Sequence, residues 1–143
     1  MFLNKISWRI AAVYILAQVV GAFVGVAASH IMFAKSIFSI SHHFRGEYSL
    51  IFSEFVATFG LIFVILSCEN KPNLAPFVIA LYIVGAYWFT SSTSFANPAV
   101  TLARTTTDTF TGIRPNDALG FLIAQFMGAI LSMKIFAWIK IEQ

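Results

Sequence analysis

The residues most suited to chemistry in this chain lie in one polar stretch, Ser91-Ser92-Thr93-Ser94-Phe95-Ala96-Asn97-Pro98-Ala99-Val100-Thr101-Leu102-Ala103-Arg104. Asn97 suits an N-cap, because its side-chain oxygen can take a free backbone N–H, and Pro98 suits the first helical position, where its missing N–H is not needed. A helix is therefore expected from residue 97. It cannot cross a bilayer, because 99–103 is followed at once by Arg104, three threonines and Asp108. Between long apolar segments, such a helix over 97–105 reads as a re-entrant half-helix, allowed only where protein or a water-filled cavity surrounds it. Glu54, within Glu-x-x-x-Thr-Phe, places a carboxylate deep in an apolar run, where it needs partners. His42 and His43 stand beside Arg45 and Glu47; a metal or pH-gating role is open to them, but two neighbouring histidines make a poor ligand set and a solvated loop is favoured. There is no nucleophile and base pair, phosphate loop or metal-spaced cluster, so neither an enzyme, a cofactor nor a metal is expected.

The elements that must position these residues are apolar. The 143 residues are 59% hydrophobic and 10% charged, with a mean hydropathy of +0.83, too little polar surface for a water-soluble globule. Candidate spans run over about 10–32, 48–68, 74–94 and 118–139, against the twenty or so residues a crossing needs. The third reaches that length only if the hydroxyls of 90–94 face a wet lumen. Gly21 and Gly25, four apart, suggest close helix packing in lipid. Trp8, Trp88 and Trp138 fall near span ends, as interfacial anchors do. The net charge of +3 sits at the ends of apolar runs, which is flank composition and not a nucleic-acid footprint. Cys68 is the one cysteine, so no intrachain disulfide forms.

Lys5 and Arg9 before the first span, Lys71 after the second, and Lys134 and Lys140 in the last oppose Lys35, Arg45 and Arg114. This small bias favours cytoplasmic N- and C-termini. The chain also repeats itself: Ala-Gln-x-x-Gly-Ala occurs around Gln18 and again around Gln125. Internal repeats whose half-helices meet at the midplane are a recurrent membrane-transport design. In the second unit Glu54 precedes Gln125 by 71 positions; an equivalent first unit would begin before Met1.

Asn97-Pro98-Ala99, after a hydroxyl-rich extended run and before a last span, resembles the aquaporin and glycerol-facilitator family. The wider string from Tyr87 to Thr101 more closely resembles its bacterial members associated with arsenic resistance. The resemblance implies an all-α, right-handed helical bundle as a single domain over residues 1–143. That bundle would be truncated here to four spans and one half-helix, with the family's first two spans and first Asn-Pro-Ala half-helix missing. It implies that Asn97, with Pro98 and Ala99, borders the pore, its amide donating to passing solutes while the helix N-terminus opposes cations. It places the constriction at Val100, where the family usually has arginine, at Gly85, where glycerol-type channels also have glycine, and at Ser94. It assigns Glu54 to bracing the Asn-Pro-Ala backbone, and Gln18 and Gln125 to bracing half-helices, with a plain interhelical hydrogen bond as the alternative for the two glutamines.

Arg104 shares a helix face with Val100. Pairing with Asp108 is the favoured expectation, and a cation returned to the outer vestibule is the other.

The expected activity is passive passage of small uncharged solutes: glycerol-like polyols, arsenite or related metalloid species, and water. The expected setting is a bacterial inner membrane, with the family's homotetramer if complete and no nucleic-acid partner. Two alternatives stand beside it: a non-conducting fragment needing a partner chain to complete the pore, and half of a secondary transporter. The last is weakened by the lack of an Asp within any candidate span for ion coupling.

Overall fold

A computed structural model describes residues 6–141; Lys5, counted above as a flanking charge, lies outside them. Five helices follow one another: α1 (Trp8–Met32), α2 (Tyr48–Ser67), α3 (Ala75–Phe89), α4 (Pro98–Arg104) and α5 (Pro115–Ile141). Local chemistry explains most of their starts. Ser7 caps α1 by accepting from Ile10 N, Asn97 caps α4, and prolines occupy the opening turns of α3, α4 and α5, where an N–H is not required.

α1, α2 and α5 are long and apolar enough to cross a membrane, whereas α3 is a shorter apolar helix. Its 15 residues rise only about 22 Å. The third span does not continue as helix to residue 94. Thr90 folds its hydroxyl back on Ala86 O at 2.6 Å, and Ser92 gives both its N–H and its hydroxyl to α2, so the backbone leaves the helical path.

Helix packing is dominated by α2 against α5, with α3 on α2, and α4 between α5 and α1. Gly128 permits the α2–α5 approach: a Cβ there would lie 2.5 Å from Phe55 O. Gly21 and Gly25, expected as packing glycines, face open space, because α1 touches no helix but α4 among the described residues. The small buried core joins Phe95, Ile113, Ala118 and Phe121, with Leu50, Ile51 and Val100 against it. Outward lie Val13, Leu16, Val20 and Val24 of α1 and Phe77, Leu81 and Val84 of α3. That exterior is apolar where a soluble protein would be charged, and the chain is an all-helical integral membrane protein.

Candidate functional site

The site begins with one carboxylate. Glu54 is fully buried on α2 and accepts four hydrogen bonds. Its Oε1 takes Ser92 Oγ and Phe95 N, both at 2.7 Å. Its Oε2 takes Ala96 N at 2.9 Å and Gln125 Nε2 at 2.7 Å. The segment it grips is bent: Thr93, Ser94 and Ala96 have φ of 63°, 48° and 46°. Non-glycine residues in this left-handed region cost about 1–3 kcal/mol each and persist only where their surroundings fix them. Here the carboxylate takes the N–H groups that such a turn points inward.

This turn delivers the chain to α4. Asn97 Oδ1 accepts from Ala99 N at 2.8 Å, and Thr101 Oγ1 donates to Asn97 O at 3.0 Å. Gln125 Nε2 then donates to Thr101 Oγ1 at 2.9 Å, so α5 holds both Glu54 and the half-helix. Because Oδ1 serves the cap, Asn97 Nδ2 is the outward atom. It makes no hydrogen bond to the described residues, and the side chain is half-buried. A fixed, partner-free amide nitrogen at the head of a seven-residue helix can donate to a solute through its two N–H groups and can itself accept no hydrogen bond there.

Arg45, in sequence only a loop charge, packs over the same turn. It is buried, and Nε, Nη1 and Nη2 donate to Gly112 O, Ser92 O and Phe110 O at 2.8, 2.9 and 2.8 Å. Its guanidinium also lies 5.0 Å from the Phe95 ring centre. Burial pulls its pKa below the usual arginine value, and the charge of Glu54 opposes that pull. The 33–47 loop is anchored beside it by Ser39 N to Thr106 O and Ser41 N to Thr105 O. The available signal was a lone arginine between Phe44 and Gly46 in a short loop, which is weak without knowing what the loop folds over.

Arg104 does not pair with Asp108. Asp108 Oδ1 is taken by His42 N at 2.9 Å, because α4 ends at Arg104 and the chain turns away before position 108. Arg104 instead stacks on Phe95, 4.1 Å from its centre. With Val100 it lines a cavity of about 660 Å³ between α4, the C-terminal end of α1 and the 107–111 segment.

Gly85 and Ser94 do not line that cavity. Gly85 is half-buried on α3, and Ser94 N donates to Ser92 Oγ. Pro98 opens α4 and Ala99 is buried on it. Gln18 is not brought to the site: it is exposed, since α1 meets only α4 and no element covers its face. His42 and His43 are exposed in the loop. Asp117, in the first turn of α5, binds Arg114 at 2.9 Å and accepts Arg45 N.

The model of the family described as Major intrinsic protein matches residues 1–91. Over 137 residues the chain is 44% identical to the aquaglyceroporin AqpS of Rhizobium meliloti (strain 1021), covering 95% of this chain and 59% of that relative. The chain thus spans little more than half the length of that relative. No solved structure matches.

Proposed function

The chain belongs to the major intrinsic protein family, whose members are channels and not enzymes, and on that premise we propose that it lines a passive pore for small uncharged solutes. The single observation carrying this reading is the capped asparagine. Asn97 Oδ1 is committed to the helix and Nδ2 is left as a donor beside α4, whose start Glu54 and Gln125 clamp. Polyols of glycerol size and undissociated arsenite are the solutes we favour. Val100 at the position where the family usually carries arginine makes that wall apolar, and a relative bears the name aquaglyceroporin. Linkage to arsenic resistance rests on the resemblance of the 87–101 string. We place the protein in the bacterial inner membrane with both termini cytoplasmic, as a homo-oligomer.

The test is stopped-flow light scattering on proteoliposomes of this chain challenged with glycerol, arsenite or an impermeant osmolyte. Uptake of glycerol or arsenite that Asn97→Asp reduces at least tenfold supports the reading; water passing faster than either solute counts against the solute preference. A second reading, in which a partner chain must complete the pore, is favoured by the uncovered Gln18 face of α1. It expects no flux from the chain alone, and flux restored when a segment that cross-links to α1 is supplied.

A further inference from the structure

The cavity beside α4 carries cations with no acid to match them. Lys35 and Arg104 line it with His30, Thr107, Thr109 and Thr111, and no Asp or Glu does. The Arg104 guanidinium makes no hydrogen bond or ion pair with a described residue, and its Nη1 is sealed off without a partner. Asp108 is committed to His42 N, and Asp117 to Arg114 and Arg45 N. Glu54 is the acid whose charge acts on Arg104, but its oxygens are taken by Ser92, Phe95 N, Ala96 N and Gln125. A guanidinium partly removed from water with no acid bonded to it favours an anion at its open edge.

The threonines form a chain of hydroxyls ending at His30. His30 Nδ1 faces Ser36 O, which can only accept. In neutral imidazole Nε2 must therefore accept, from Thr107 Oγ1 at 2.7 Å. Thr107 then accepts from Thr109 at 3.1 Å, and Thr109 from Thr111 at 3.0 Å. Every hydroxyl proton in that chain points toward the histidine. When His30 gains a proton, Nε2 donates, each hydroxyl can reverse, and Thr111 turns an O–H outward. The charged groups lining the same cavity, Lys35 and Arg104, are both cationic.

We propose that this cavity binds a small oxyanion at Arg104, and that protonation of His30 adds a hydroxyl donor for it through Thr107, Thr109 and Thr111. The site stands whether or not the chain conducts.

Calorimetric titration of the full chain in detergent, at constant ionic strength, with acetate, inorganic phosphate and chloride tests it. Saturable one-to-one binding of acetate or phosphate, and not of chloride, is expected; whichever oxyanion binds tells planar from tetrahedral recognition. Arg104→Gln weakens that binding at least about tenfold. Arg104→Lys, which keeps the charge and loses the planar fork, weakens acetate binding nearly as much. Acetate affinity falls as pH rises, and Thr109→Val, which interrupts the hydroxyl chain between Thr107 and Thr111, flattens that pH dependence while leaving the helical circular dichroism unchanged. Absence of saturable oxyanion binding to the folded wild-type chain, equal binding of chloride, or undiminished binding by Arg104→Gln overturns the site. A pH profile identical in Thr109→Val and wild type overturns the proton coupling.

Discussion

At the scale of the residue, Asn97 and Glu54 do separable work, and substitution can tell them apart. Asn97→Asp keeps an oxygen for Ala99 N and exchanges the Nδ2 donor for an acidic oxygen. Helix content and melting temperature should stay close to wild type while solute flux falls, because aspartate caps helices about as well as asparagine. Glu54→Ala has the opposite profile. It strands Phe95 N and Ala96 N in a buried turn with three residues at positive φ. Each orphaned buried donor costs about 1–3 kcal/mol, so a loss of about 3 kcal/mol or more is expected. Differential scanning fluorimetry and limited proteolysis of the 91–97 segment would register it. Arg45→Ala should act similarly but more weakly, since it takes a donor from three carbonyl oxygens and strands no N–H.

At the scale of the element, the repeated motif gives a matched pair of tests. Gln125 bridges α2 and α4 from α5, whereas Gln18 at the equivalent place on α1 is exposed and hydrogen-bonds neither. Gln125→Leu should therefore cost about 2–3 kcal/mol, the usual range for a hydrogen bond to a buried charged group. Gln18→Leu in the isolated chain should be within about 0.5 kcal/mol of wild type, as substitutions away from buried features are. Equal destabilisation in the same unfolding assay would contradict the packing described. The glycines divide likewise. Gly128→Ala drives a Cβ into Phe55 O and should cost about 1–3 kcal/mol by overpacking α2 against α5. Gly21→Ala meets open space and should leave the melting temperature unchanged or slightly raised.

For the whole molecule, the surface is the informative feature. The apolar exterior of α1 and α3 requires lipid, and the protein should remain in the membrane pellet after an alkaline carbonate wash and leave it only in detergent. The exposed Lys140–Glu69 bridge joining the ends of α5 and α2 is a surface pair of the kind that contributes about 0–1 kcal/mol. Cohesion comes instead from α2 on α5 and from the polar knot that ties the start of α4 to them. The same knot explains why a short helix holds a defined place among long ones. Seven residues cannot fold alone, so α4 depends on its cap, Glu54 and Gln125.

The membrane class, the apolar helices and the start of α4 could be read from the sequence, because run length, proline placement and capping are local properties. The repeat around Gln18 and Gln125 was equally visible, but its two copies have different surroundings. What only the tertiary structure decided was partner choice. It gave Arg104 the face of Phe95 in place of Asp108, ended α3 at Thr90 so that Ser92 could reach Glu54, and brought Arg45 over the site from a loop. Each of these depends on which distant segments meet, and a buried polar group takes the partner that packing brings within reach.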